Sequence, residues 1–143
     1  MPWRDQIQRH LLEQRPESVC ALDEAAYRMA QAILPATPVS RPDNPPNTLC
    51  TLALGIDVLS HLNAPQAHRL INHTRLYVAP RILLAAQPDC ALDAAAFRAL
   101  GFMLSATDPA DATRVFHYDL DTYKTVPDWL NARYWAHPER WNT

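Results

Sequence analysis

Two polar residues that could do acid–base chemistry follow the most apolar stretch of this sequence. Asp57 and His61 come at the end of, and just after, LCTLALGID, residues 49–57. A carboxylate and an imidazole at this spacing can move protons or orient a substrate if the fold aims both side chains at one cleft. A helix-capping aspartate and a surface histidine would have the same spacing. The pattern therefore predicts a candidate catalytic pair and leaves the structural alternative open.

Other side chains with reactive or metal-binding chemistry are more scattered. His61, His68 and His73 follow one another, but no cysteine or glutamate completes a tetrahedral set, so we expect no metal site. His117 and Asp119 alternate onto one side of a strand, which is more typical of a surface pair than of catalysis.

The composition is that of a single soluble globular domain. The chain has 143 residues, of which 48% are hydrophobic and 20% charged, and its formal net charge is -2. One domain spanning residues 1–143 can bury a core, and the charge does not favour nucleic acid or a membrane as partner. We expect no signal peptide and no transmembrane helix. An odd number of cysteines without a CxxC pair is typical of free thiols in the cytoplasm.

Glycine and proline contents restrict the kinds of site that the chain can build. There are 2 glycines and 13 prolines, whereas an average chain of this length carries about ten glycines. Few glycines leave few places where the backbone can approach a ligand closely. The composition therefore argues against a glycine-rich phosphate loop.

Helical and strand patterns alternate along the chain and must position these residues. Predicted helices cover residues 2–14, 24–34, 63–78 and 94–100, with a short one from about Pro127, and predicted strands cover 19–22, 49–57, 81–86, 102–106 and 114–120. Residues 37–40 could add a short strand. The short link between the last two strands allows only an antiparallel hairpin. We therefore expect a three-layer, Rossmann-like α/β sheet, mostly parallel, with a C-terminal hairpin.

The motifs between residues 49 and 120 resemble, in order and spacing, the C-terminal half of a class I S-adenosylmethionine-dependent methyltransferase. The central strand ends in the acid Asp57, and VLSHL follows, like the family's common vl.hl turn. The segment 79–84 stands where the family often reads pgG.lll. The step 100–102, Leu-Gly-Phe, precedes the hairpin. The resemblance implies a methyltransferase-like fold, here shortened at one edge of the sheet, in a small bacterial family.

The same resemblance implies a degenerate cofactor site. Where the family has a glycine-rich turn, this chain has Ala-Leu-Asp-Glu-Ala at 21–25, and the family's acid after the second strand has only Asp43 as a loose counterpart. The eight residues 41–48 leave no room for the family's third strand with its helix. We therefore expect no bound cofactor. If the cofactor site survives, Asp23, Glu24 and Asp43 would bind S-adenosylmethionine.

Three functions follow from these observations. The first is a methyltransferase-like domain that has lost S-adenosylmethionine binding and acts as a binding or interaction module. The second is a small methyltransferase with an atypical cofactor site that uses Asp57 and His61. The third is an unrelated small hydrolase or metal enzyme.

Aromatic residues concentrate at the C-terminal end of the sequence. In one alternative, Trp129 and Tyr134 pack the last helix onto the sheet as part of the core. In the other, the outer aromatic residues Trp135 and Trp141 form a homodimer or partner interface, where tryptophan is enriched. Both alternatives stay open at the level of sequence.

Overall fold

Residues 2–44 and 48–120 are described by a computed structural model of the chain. Their helices are α1 Trp3–Gln14, α2 Glu24–Ile33, α3 Ala64–His73 and α4 Ala94–Ala99. Their strands are β1 Val19–Ala21, β2 Val39–Ser40, β3 Leu52–Gly55, β4 Arg81–Ala86, β5 Met103–Thr107 and β6 Arg114–Asp119. A 3-10 turn, Val58–His61, precedes α3, and a π-helical turn, Thr74–Val78, extends it. The predicted helix from Pro127 and the interface residues Trp135 and Trp141 lie outside the described residues.

The strands form one six-stranded sheet in the order β2-β1-β3-β4-β6-β5. The first four strands in this order are parallel, and β6 runs antiparallel to both β4 and β5. This arrangement confirms the predicted mostly parallel sheet with a C-terminal antiparallel hairpin. The segment 37–40 does contribute an edge strand, although only Val39 and Ser40 belong to it.

The central strand β3 is shorter than the apolar run 49–57 that predicted it. The Cys50 N–H donates to the Val78 carbonyl at 2.8 Å. The Thr51 N–H donates to Ser18 Oγ at 3.0 Å. These two donors therefore bind outside the regular parallel ladder, and the strand begins only at Leu52.

The strands β2 and β3 flank β1 on opposite sides, so the connection 41–51 has to pass across β1. In the described part of that connection, residues 41–44 and 48–51, there is no helix. A parallel crossover usually takes a dozen or more residues and carries a helix. The shortness of the segment is the physical reason why its described residues, 41–44 and 48–51, contain no helix.

Helices cover both faces of the sheet and bury a separate cluster on each. On one face, Phe97 of α4 stacks on Phe116 of β6, with ring centroids 4.1 Å apart, and meets the edge of Phe102 at 5.6 Å. On the other face, Ile7 and Leu11 of α1 are fully buried against β-strand side chains. Burial of this apolar surface is the main force that holds the helices to the sheet.

Neither glycine of the chain belongs to the turn that follows β1 in the sequence, and each has a structural role elsewhere along the chain. Gly101 ends α4 with a φ of 94°, a left-handed conformation that favours glycine. Gly55 ends β3 in a tight space, where an added Cβ would lie 2.7 Å from Leu84 Cδ2 and 2.9 Å from Val58 Cγ1. The close packing at Gly55 lets the chain turn sharply beside β4.

The substitution Gly55→Ala tests this packing. We expect it to lower the free energy of unfolding by about 1–3 kcal/mol, because buried neighbours must shift to admit a methyl group. In a Leu84→Val background the same substitution should do less damage, since valine lacks the δ-methyl group that the new Cβ would strike. Urea unfolding of the four variants of this cycle measures the coupling, and strict additivity would contradict the packing argument.

Candidate functional site

Parallel strands end together at the carboxyl edge of the sheet, where open α/β folds bind their ligands. Here this edge holds the residues that follow β1, β2 and β3. They include every site residue predicted from the sequence, namely Asp23, Glu24, Asp43, Asp57 and His61.

The carboxylate of Asp23 organises this edge through four hydrogen bonds from backbone N–H groups. Its Oδ1 caps α2 by accepting from the Ala26 N–H at 2.7 Å. Its Oδ2 accepts from the N–H groups of Ile56 and Asp57 at 2.8 Å and of Val58 at 2.9 Å. Three converging backbone donors form a concave anion-binding turn, and here the protein's own carboxylate fills it. We call residues 56–58 together with Asp23 the Asp23 turn.

The carboxylate of Glu24 lies between two cations beside the Asp23 turn. Its Oε1 is 3.5 Å from Arg28 Nε, and its Oε2 is 3.5 Å from Arg41 Nη1. The Arg41 guanidinium also lies 4.2 Å from the ring centroid of Tyr27. Asp43 follows in the same connection and is exposed. The end of β1 and the end of β2 are therefore joined by an exposed, rearrangeable ion-pair network.

The proposed catalytic pair lies on the next turn along this edge. Asp57 precedes the 3-10 turn and His61 ends it, and both residues are exposed. Their backbone is fixed from β4, because Gln87 Nε2 donates to the Ile56 carbonyl at 3.0 Å while Ser60 Oγ donates to Gln87 Oε1 at 2.9 Å. Among the described residues neither the Asp57 carboxylate nor the His61 imidazole has a hydrogen-bond or ion-pair partner, so both can meet a ligand.

A groove between α1 and α2 opens beside the Asp23 turn. It has a volume of about 370 Å3, and Ala25 and Ile56 lie at the end nearest that turn. Arg4 and Arg28 are among the residues that line it. The groove is thus a mainly apolar recess with two arginines among its lining residues, next to an edge that carries several carboxylates.

The histidines that follow β3 do not gather around a common point. Over residues 2–44 and 48–120, no three histidine, cysteine, aspartate or glutamate side chains are placed to hold a metal ion. His61, His68 and His73 are therefore not brought together.

The cysteine thiols of the described residues are free, and one pair lies in the core. Cys20 and Cys50 are both buried. Burial, followed by the neighbouring Cys50, raises the pKa of the Cys20 thiol to about 11. Because the thiolate is the nucleophile, this thiol is unreactive at neutral pH.

A second polar cavity, which the sequence did not predict, lies between α1 and the β5–β6 hairpin. Its volume is about 550 Å3, and His10 of α1 and His117 of β6 line it. Ser105 joins the two imidazoles, since its Oγ lies 2.8 Å from His10 Nε2 and 2.6 Å from His117 Nδ1. We call this space the hairpin cavity. Asp119 also lines it and pairs across the strands with Arg81, the first residue of β4, so the cavity lies toward the opposite, amino edge of the sheet.

A β-bulge aims Ser105 at the two histidines. The register between β5 and β6 shifts between Leu104 and Ala106, which leaves Ser105 as the extra residue. Burial lowers the pKa of both His10 and His117, and the neighbouring His117 lowers that of His10 further. Both imidazoles are therefore neutral at neutral pH.

Sequence reasoning treated His117 and Asp119 as a surface pair and did not single out His10. The alternation within β6 does place His117 and Asp119 on one side, but α1 covers that side near its C-terminal end. The spacing of His10 and Gln14 could have indicated this contact, because two polar residues one helical turn apart lie on the same face of α1. Both residues line the cavity.

Comparison with solved structures identifies the class of fold. The chain is similar to magnesium protoporphyrin IX methyltransferase (ChlM) from Synechocystis PCC 6803, solved with bound S-adenosylmethionine, with a TM-score of 0.58 and 16% identity over 80% of this chain and 76% of that one. It is also similar to an rRNA methylase from Escherichia coli, with a TM-score of 0.45 and 15% identity over 71% of this chain and 56% of that one. The fold is methyltransferase-like.

The chain belongs to DUF6231, a family of unknown function, which it matches over residues 2–143. No curated protein sequence matches it. Within the described residues, no helix has the length and apolar character needed to cross a membrane.

The expectation of no cofactor is contradicted by the structural comparison. The methyltransferase that shares this fold was solved with S-adenosylmethionine bound. The expectation rested on the missing glycines at 21–25, on Asp43 as the loose counterpart of the family's acid and on the short segment 41–48. Glycine backbone is only one means of holding a ligand. Exposed carboxylates and the groove between α1 and α2 remain at the same edge.

The substitution Asp23→Ala should destabilise the fold far more than the loss of a helix cap alone. We expect the free energy of unfolding to fall by about 3 kcal/mol, because a capping bond and three further backbone donors lose their partner. The matched control is Asp93→Ala, since Asp93 only caps α4 through Ala96 N–H at 2.8 Å. That control should lose about 1 kcal/mol. Equal losses in chemical denaturation would show that the contacts to 56–58 contribute nothing.

The neutral histidine pair should make stability depend on pH. The unfolded chain takes up protons at the ordinary histidine pKa of 6.5, whereas the folded chain holds the pKa of His10 and His117 below it. The unfolded state therefore binds more protons in this window, and the free energy of unfolding falls as the pH drops below about 6.5. Urea unfolding from neutral pH to about pH 5 measures the slope.

The double variant His10→Gln/His117→Asn should flatten that pH dependence. The exposed His61→Asn serves as the control and should retain the slope of the unchanged protein. An unchanged slope in the double variant would contradict the assignment to the hairpin cavity.

Proposed function

We propose that the chain binds S-adenosylmethionine at the carboxyl edge of β1, β2 and β3 and is a methyltransferase with an atypical cofactor site. The observation that carries this proposal is the strand order β2-β1-β3-β4-β6-β5, in a fold similar to that of a methyltransferase solved with this cofactor.

The residues of the carboxyl edge suggest where the cofactor would lie and which carboxylates would bind it. The Asp23 turn is filled by its own carboxylate, so the cofactor would lie against the outer side of this turn. Glu24 and Asp43 are the exposed carboxylates at the ends of β1 and β2 and would accept hydrogen bonds from ribose hydroxyl groups. Arg41 would have to move off Glu24, and an exposed pair at 3.5 Å separates at little cost.

The groove between α1 and α2 suits the amino-acid end of the cofactor. Arg4 and Arg28 provide guanidinium groups for a carboxylate, while Ala25 and Ile56 provide apolar contacts beside the Asp23 turn. Guanidinium groups bind carboxylates with two parallel hydrogen bonds.

Asp57 and His61 would serve the acceptor. The bound cofactor supplies an electrophilic methyl group, and an accepting hydroxyl or amine then has to lose a proton. An exposed carboxylate or imidazole at this edge can take that proton or orient the acceptor.

The proposal predicts saturable binding of S-adenosylmethionine. Isothermal titration should give a Kd in the micromolar range, and the melting temperature should rise with cofactor concentration as occupancy requires. The double variant Glu24→Gln/Asp43→Asn should weaken binding about tenfold, while Glu17→Gln, which removes a carboxylate from the connection between α1 and β1, should leave the Kd unchanged. Asp57→Ala/His61→Ala should keep cofactor binding, because these residues are assigned to the acceptor.

Two results would contradict this proposal. The first is a lack of any heat or thermal shift with millimolar S-adenosylmethionine, which would leave the interaction module as the remaining hypothesis. The second is binding that survives Glu24→Gln/Asp43→Asn unchanged, which would remove the assigned residues.

A further inference from the structure

The hairpin cavity has carboxylates on its wall. Glu13 and Asp119 both line it, and among the residues that the structure describes no lysine or arginine does. Arg9 pairs with Glu13 at 2.9 Å and Arg81 with Asp119 at 3.4 Å, each without lining the cavity. A space lined in this way attracts a positively charged group.

The directions of the hydrogen bonds around Ser105 determine which imidazole nitrogens are protonated and which can accept a hydrogen bond from a ligand. Gln14 Nε2 lies 3.5 Å from His10 Nδ1, while Gln14 Oε1 is buried and has no partner among the described residues. Rotating the amide by half a turn places Oε1 at His10 Nδ1–H and satisfies it. Ser105 Oγ–H then donates to His10 Nε2, and His117 Nδ1–H donates to Ser105 Oγ.

This order leaves His117 Nε2 as an unprotonated acceptor. Its other ring nitrogen is held by Ser105, and no described residue donates to Nε2. The cavity therefore combines one neutral imidazole acceptor with two carboxylates, whose ion-pair partners Arg9 and Arg81 do not line it.

We propose that the hairpin cavity is a binding site for a small ligand that carries a protonated amine. The ammonium N–H groups would donate to His117 Nε2 and to the carboxylates of Glu13 and Asp119. The volume of about 550 Å3 lies in the range of small-molecule sites. This site is independent of cofactor binding at the opposite edge of the sheet.

An organic cation fits better than a metal ion. Histidines and carboxylates are also ligands of zinc, but over residues 2–44 and 48–120 no three such side chains surround a common point. An ammonium group does not require ligands arranged around one point, because its three N–H donors point in different directions and can each bind a different acceptor.

Binding should weaken in acid. The groups that face the imidazoles are Glu13 and Arg9 from α1 and Asp119 from β6, besides each other. Protonation of His10 and His117 replaces neutral acceptors with positive charges, which repel an ammonium group.

The test uses the full chain and matched small molecules: ethylamine, benzylamine and tyramine, each beside the alcohol and the carboxylate of the same skeleton. At neutral pH we expect at least one amine to raise the melting temperature and to shift the imidazole 15N resonances of His117, while its alcohol and carboxylate do neither. The effect should be lost near about pH 5. Failure of all amines at millimolar concentration, or equal binding of the alcohols, would overturn the proposal.

A pair of variants on one helix sharpens this test. Glu13→Gln should weaken amine binding about threefold, since the exposed carboxylate contributes modestly. Asp5→Asn, another carboxylate of α1, should have no effect because Asp5 does not line the cavity. An equal effect of both variants would overturn the assigned site. Stabilisation by zinc with no effect of any amine would show a metal site instead.

Discussion

The carboxylate of Asp23 is the interaction on which the carboxyl edge depends. It joins the start of α2 to the turn after β3, more than 30 residues further along the chain. Backbone N–H groups beyond the end of a strand have no partner in the sheet and must donate elsewhere. Here the three N–H groups of residues 56–58 all donate to one carboxylate oxygen of Asp23. This contact fixes the position of Glu24 relative to Asp57, while the hydrogen bonds of Gln87 hold the turn that carries Asp57 and His61 from the other side.

Of the hydrogen bonds that Asp23 accepts, only the capping bond to α2 was predictable from the sequence. The capping bonds of Asp23, Asn63 and Asp93 each reach three residues ahead, so residue type and helical spacing were sufficient to predict them. The contacts from Asp23 to 56–58 require that β1 and β3 be neighbours, which is a property of sheet order. For the same reason the run 49–57 predicted a strand but not its bounds, because hydrogen bonds to Ser18 and Val78 remove its first residues from the ladder.

The hairpin cavity was beyond prediction for a different reason. His10 and Ser105 are 95 positions apart, and Ser105 and His117 are 12 apart. Strand alternation places side chains only as long as the register is regular, and the bulge at Ser105 interrupts it. The alternation of His117 with Asp119 was correct for β6. What covers that face is α1, whose packing follows from the burial of Ile7 and Leu11 rather than from any local pattern.

The two edges of the sheet differ in how their polar groups are satisfied. At the carboxyl edge, Asp23 already supplies the anion that its turn of backbone donors requires, so folding there does not depend on a ligand. The chain can therefore do without glycine at this turn, and it uses Gly55 and Gly101 for close packing and for a helix end instead. In the hairpin cavity, by contrast, His117 Nε2 has no hydrogen-bond donor among the described residues. A ligand at the carboxyl edge would add contacts to a turn whose backbone donors are already satisfied by Asp23. A ligand in the hairpin cavity would donate to an imidazole nitrogen that has no donor among the described residues.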